Sequence, residues 1–165
     1  MKSSILQIVS RLRPKKILVV SSAPQIRYPD CYGIDMSKLK EFVAFRALVA
    51  LLEDHDKEHL LQETYERCKA QEHLPKEEIK NELIELYNTF SYKEVSKKIA
   101  EIVTPEGIKP KIEVIYQTLE GLHDACPDHK GDWYFSGIYP TPGGNRIANR
   151  SFINFIEGRG NQRAY

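Results

Sequence analysis

One short run constrains the fold of this chain more than any other: Lys15-Lys16-Ile17-Leu18-Val19-Val20-Ser21-Ser22-Ala23-Pro24. Ile17 to Val20 are four consecutive apolar residues set between a basic pair and small polar residues. Such a run predicts a strand covered on both faces, as in the parallel sheets of α/β domains. Pro24 cannot continue a central strand, so Ser21 to Pro24 becomes a loop at the carboxyl end of that strand. In open α/β sheets ligands bind against such loops, which makes Ser21, Ser22, Ala23 and Pro24 a candidate pocket wall.

A parallel strand needs a partner reached through a crossover, and the rest of the chain supplies the parts. Before the strand, Ile5, Ile8, Val9 and Leu12 fall on one helical face, with Ser3 or Ser4 as cap and Pro14 as stop. No strand precedes that helix, so the chain is expected to begin inside a fold. After it comes a loop to Asp35 with Tyr28 and Tyr32 as anchors. A helix is predicted over Met36 to Leu52, with Ser37 as cap. The charged stretch that follows is helical in composition, and Pro75 divides it into segments near 53–73, 76–88 and 91–103. These predict a helical hairpin appended to the core, or a dimerisation arm. Lys111 to Thr118 alternates Ile112, Val114 and Tyr116 and reads as the second strand. A short helical turn is expected over Leu119 to Ala125, a short helix over Ser151 to Ile156, and a frayed tail from Gly158. The whole, 1–165, reads as a single α/β domain, helix-rich overall.

Twenty-four basic residues against 23 acidic ones give no global charge to draw nucleic acid or a membrane surface. No apolar run approaches the ~20 residues of a membrane span. Three widely spaced cysteines suit reduced thiols, so a cytoplasmic protein is expected.

Several constellations could carry chemistry. His55 and His59 are spaced i, i+4, as a zinc site on one helix face requires, but the surrounding EDHDKEH reads as a solvated face. His123, Cys126 and His129 lie three residues apart and combine imidazole with thiol, a set that suits zinc. A closed site would need a fourth ligand, for which Cys31 is available if the fold brings it near; an ordinary turn is the simpler reading. Thr141 to Asn145, TPGGN, could offer backbone N–H groups to phosphate, yet lacks the established phosphate-loop patterns and reads as a tight turn. Trp133, Tyr134, Phe135 and Tyr139 have no basic patch beside them and read as packing rather than base stacking. No nucleophile signature stands out.

Three stretches together are more specific. SSAPQIRYPDCYGIDM (Ser21 to Met36) resembles a segment of the glutamine amidophosphoribosyltransferases. YQTLEGL (Tyr116 to Leu122) is similar to the family's strand followed by Ser-x-Glu-Gly-Leu, and FSGIYPT (Phe135 to Thr141) to its Phe-x-Gly-x-Tyr-Pro-Thr. The resemblance covers about 1–45 and 93–145, and makes residues near 49–92 a helical insertion. It implies the last part of a type I phosphoribosyltransferase domain, an incomplete parallel sheet that works beside an N-terminal glutaminase domain. Ammonia from glutamine would displace pyrophosphate from phosphoribosyl pyrophosphate with Mg2+, giving phosphoribosylamine for purine synthesis.

On that resemblance, Ser21 to Pro24 would lie beside phosphoribosyl pyrophosphate or a purine nucleotide. Tyr32, Gly33 and Asp35 would lie where the two domains meet, and Phe42 would wall the ammonia channel. The family's phosphate loop, an acidic pair followed by Ser-Ile-Val-Arg-Gly-Thr-Thr, and the glutaminase cysteine are not in this sequence, so the chain alone is expected to be inactive. Asp128 and Gly131 stand where some members have a CxxC, and no iron–sulfur cluster is expected. A homo-oligomer is expected. The alternative is a non-catalytic regulatory or interaction domain derived from such a transferase.

Overall fold

The structure, a computed structural model, describes residues 5–31, 36–129, 131–162 and 164. The helix α1 (Ile5–Ser10) leads into strand β1 (Lys16–Ser21), and a single 3-10 turn (Leu39–Glu41) precedes α2 (Val43–Asp54). Then come α3 (His59–Ala70), a 3-10 turn (Lys76–Glu78), α4 (Leu83–Tyr87) and α5 (Tyr92–Val103). Strand β2 (Lys111–Tyr116) is followed by α6 (Leu119–Ala125), α7 (Trp133–Ser136) and α8 (Pro142–Ile156). The architecture is helix-rich around a small parallel sheet, an α/β arrangement.

β1 and β2 pair in parallel, with Lys16 opposite Lys111 and Ser21 opposite Tyr116. Side chains alternate across the sheet. Ile17, Ile112 and Val114 are buried on the inner face, where Leu6 of α1 covers Ile17 and Ile112. Leu18 and Val20 point the other way and are 52% and 70% exposed, with Ile115 beside them at 42%. The expectation of a strand covered on both faces is therefore corrected: helices cover one face only. α1 docks on the inner face through Leu6 alone and leaves Ile5 and Ile8 exposed, as is Leu12 just after it.

The main core forms between helices rather than on the sheet. Phe45, Leu48 and Leu52 of α2 join Val95 and Ile99 of α5, Leu83, Leu86 and Tyr87 of α4, and Phe152 and Ile153 of α8. Phe45 meets Phe155 edge-on, with ring centroids 4.8 Å apart. Residues 49–92 are thus part of the core and not a hairpin standing off it. Most of their charges sit on the outer faces, Glu82 being a buried exception paired with Arg67, while Thr64 and Cys68 of α3 turn inward. This distribution is that of an amphipathic helix docked on a body.

Two boundaries differ from expectation for local reasons. The helix predicted from Met36 starts at Val43, because Ser37 is drawn into the core: its carbonyl accepts from Ser151 Oγ at 3.0 Å. α8 begins at Pro142, nine residues before the predicted helix, with Pro142 at the first turn where its missing N–H is harmless. The pair Gly143-Gly144 suggested a turn, but the Tyr139 ring packs against Gly144, 2.2 Å from where a Cβ would stand. The tail is also tied down, since Asn161 accepts from Lys40 and Ala164 is buried. The proposed caps Ser3 and Ser4 lie outside the described residues.

α5 starts with a reciprocal capping box: Glu94 N–H donates to Ser91 Oγ at 3.2 Å, and Ser91 N–H donates to Glu94 Oε2 at 2.8 Å. The hydrogen bonds from Ser91 hold the Glu94 carboxyl below its usual range. A depressed folded-state value stabilises the fold above the unfolded carboxyl pKa and loses that effect as pH falls through the folded one. Ser91→Ala is accordingly expected to lower the thermal midpoint at neutral pH, with the difference from wild type narrowing in acid. Melting curves of both proteins across the acidic range check this. Among the described residues, no helix is long and apolar enough to cross a membrane.

Candidate functional site

The parallel register brings the carboxyl ends of β1 and β2 side by side, and Gln117 N–H donates to the Ser21 carbonyl at 3.1 Å. Ser21 then closes a tight turn on itself: its hydroxyl donates to the Ala23 carbonyl at 2.9 Å and accepts from Ala23 N–H at 3.3 Å. Beyond this turn lies a cavity of about 570 Å³, walled by Ser21, Ala23, Pro24, Phe42 and Tyr116 among others. Two groups of predicted site residues thus share one space, the strand-end loop and Phe42, which sits at the N-cap of α2. Ser22 is exposed and does not line it. Tyr32, Gly33 and Asp35 lie outside the described residues.

The loop after Pro24 is framework rather than wall. Gln25, 1% exposed, donates its backbone N–H to the Tyr92 hydroxyl at 2.7 Å, while its Nε2 donates to the Tyr92 carbonyl and to Ser96 Oγ. Its Oε1 accepts from both Nε and an η-nitrogen of Arg27, at 3.0 and 2.9 Å. The Tyr92 hydroxyl passes its own proton to the Gln117 carbonyl at 3.0 Å, so one phenol bridges the two strand-end loops. Arg27 lies over the rings of Tyr87 and Tyr92, at 5.0 and 4.9 Å from their centroids.

The third motif closes on the same framework. The Tyr134 carbonyl accepts from the N–H groups of Arg27 and Tyr28 at 2.8 and 3.1 Å, and the Tyr139 hydroxyl donates to the Pro29 carbonyl at 2.6 Å. Gly137 adopts a left-handed φ of 74° at the end of α7, with the Tyr28 ring against it. Its carbonyl accepts from Asn81 Nδ2 at 3.0 Å. Burial pushes the Tyr28 phenol up to about 12 and raises Tyr139 further, so both stay neutral and Tyr139 keeps the proton it donates to Pro29.

The cavity's chemistry is largely apolar. Lys38 and Glu41 on its wall pair with each other at 3.4 Å. Tyr116 stays protonated, its phenol raised by burial. Such a space can cover an uncharged part of a ligand or pass a small neutral molecule, while a phosphate would meet an already paired lysine. Nor do the described lining residues fit Mg2+, since Glu41 is the acidic group among them and is engaged by Lys38. A second cavity of about 650 Å³ lies between α3 and α8, away from the motifs; its Arg150 pairs with Glu72.

Other candidates separate. His55 and His59 are exposed and fall on different elements, the C-cap of α2 and the start of α3. Cys68 is buried, with burial and Glu82 pushing its thiol up to about 12; Cys31 is half-buried and Cys126 exposed. His123 and His129 do meet, but Asp132 rather than Cys126 completes their group. Trp133 to Phe135 are half-buried, and Tyr139 packs against the main core. Gln25 and Tyr92 were not singled out in the sequence, and Tyr87 only as one member of an apolar stripe, because their polar partners lie some 60 to 70 residues away. No family model matches this chain, and no curated protein or solved structure matches it either.

Proposed function

We propose that this chain forms the C-terminal part of the phosphoribosyltransferase domain of a glutamine amidophosphoribosyltransferase, an enzyme that makes phosphoribosylamine from phosphoribosyl pyrophosphate and glutamine-derived ammonia. The observation that carries the reading is convergence. Three sequence motifs, up to about a hundred residues apart, join around the loop at the carboxyl end of one parallel sheet through Gln117 to Ser21 and Tyr139 to Pro29, with Tyr134 just before the third motif bonded to Arg27. Ligands of open α/β sheets bind at that end. The exposed apolar face of Leu18, Val20 and Ile115 further suits a sheet that continues in a larger domain.

In this reading the cavity conducts and shields. Phe42, Pro24 and Ala23 offer apolar walls past which neutral ammonia travels without being protonated by bulk water. The Ser21 turn sets the edge of the sugar pocket, and its hydroxyl, satisfied within its own turn, positions backbone rather than reacting. Phosphate and Mg2+ binding belong to the acidic-pair loop that the resemblance implies, and no step here runs through the metal.

Phe42→Ala in the full-length protein tests this. Glutamine-dependent pyrophosphate release should fall about tenfold, equivalent to about 1.4 kcal/mol of barrier, while ammonia-dependent release stays within about twofold. Equal loss with both nitrogen donors would remove Phe42 from the channel. Absence of any pyrophosphate release from the wild-type full-length protein would sink the enzymatic reading and favour a non-catalytic interaction domain.

A further inference from the structure

The loop joining α6 to α7 gathers three side chains of ligand type. His123 on the last turn of α6, His129 in the loop and Asp132 at the N-cap of α7 present ligand atoms that all lie within 4.8 Å of one another. His123 Nε2 is 2.9 Å from Asp132 Oδ2. The His129 ring stacks on that of His123, with centroids 4.3 Å apart and planes 13° from parallel.

We propose that His123, His129 and Asp132 bind one divalent first-row transition ion of the zinc type, with water completing its shell. Two imidazoles and a carboxylate form a borderline donor set that such ions favour over Mg2+ or Ca2+. Two donors each about 2.0–2.1 Å from an ion at the tetrahedral angle lie about 3.4 Å apart, so the His123–Asp132 hydrogen bond needs to open by only a few tenths of an ångström to admit one. Asp132 is also aimed: Ser136 Oγ donates to its Oδ1 at 2.8 Å, which leaves Oδ2 for the ion, the outer-shell support typical of metal carboxylates. The side chains of His123 and Asp132 are 40% and 17% exposed, so an ion can reach them from solvent. His129 is exposed, and turning its ring from the stack toward the ion disturbs no core contact.

An ion here would staple α6 to α7 immediately before Tyr134, whose carbonyl anchors Arg27 and Tyr28. It would act as a structural clasp on the loop framework. The inference stands on this cluster alone and is independent of the transferase reading.

Titration of the chain with Zn2+ against a chromophoric chelator, and with Co2+ followed by visible absorption, tests it. One ion per chain is expected. His129→Ala, His123→Ala and Asp132→Asn should each weaken binding at least about tenfold, whereas Cys126→Ser and His73→Ala leave it unchanged. His129 is exposed, so its removal does not threaten folding. Failure of the wild-type chain to bind stoichiometric Zn2+, unchanged affinity in His129→Ala, or lost affinity in Cys126→Ser would each overturn the assignment.

Discussion

Tyr87→Ala is expected to lower the free energy of unfolding by about 4 kcal/mol, at the upper end for loss of a buried large side chain. Tyr87 is 0% exposed. Its ring meets Tyr28 edge-on at 5.3 Å and carries the Arg27 guanidinium at 5.0 Å, and its hydroxyl donates to the Arg27 carbonyl at 3.1 Å. Truncation would leave a cavity in the core and unseat the segment that follows the Ser21 turn. Tyr87→Phe keeps the ring and loses one hydrogen bond, so it should cost only about 1 kcal/mol. Urea denaturation of the three proteins separates the two contributions. If Tyr87→Ala cost no more than Tyr87→Phe, residues 49–92 would not anchor the strand-end loop as described.

Gln25→Ala should follow closely, at about 3 kcal/mol, although it removes far less apolar surface. Its amide both donates and accepts: Nε2 serves the Tyr92 carbonyl and Ser96 Oγ, while Oε1 receives the Arg27 fork. Removing it takes the acceptor from the Arg27 fork in a partly buried site, while the Tyr92 carbonyl keeps its bond from Ser96 Oγ at 2.9 Å. A double-mutant cycle with Tyr92→Phe, also read by urea denaturation, should show strong non-additivity, since the Tyr92 hydroxyl accepts from Gln25 N–H and donates to Gln117. Simple additivity would mean that the two strand-end loops are held separately.

The local parts of this fold were legible in the sequence. β1 and β2 follow from the apolar run Ile17 to Val20 and the alternation of Ile112, Val114 and Tyr116, and α5 and α6 from helical composition between breakers. The Ser91–Glu94 box and the Thr118 cap that fix the two helix starts emerged only from the structure. Burial was less legible. Ile17 to Val20 reads as covered on both faces because a run of four aliphatics carries no mark of which neighbours are present. Leu83, Leu86 and Tyr87 read as an apolar stripe, but not as part of the main core, because that role depends on docking against α8 and the Arg27 loop. In α8, propensity pointed away from helix at Gly143-Gly144, and the packing of Tyr139 on Gly144 overrode it. Within the candidate site, Ser21, Ala23, Pro24 and Phe42 were found by motif, whereas their joint cavity depends on pairing between distant strands. For the metal cluster, spacing correctly linked His123 to His129 but favoured Cys126; the chain instead turns Asp132 inward.

The partners in the sheet stand far apart in the chain, Lys16 with Lys111, and everything from α2 to α5 lies between them. Closing so long a loop loses much chain entropy before any ladder bond forms, whereas the helices in between gather over shorter separations. The packing of α2 on α5 is therefore expected to form early, and the two-stranded sheet, like the docking of α8 against α2, late. Since the pocket exists only where Ser21 and Tyr116 come abreast, it is assembled in that closing step. It would also be the first feature surrendered when the protein opens partially, while the helices remain.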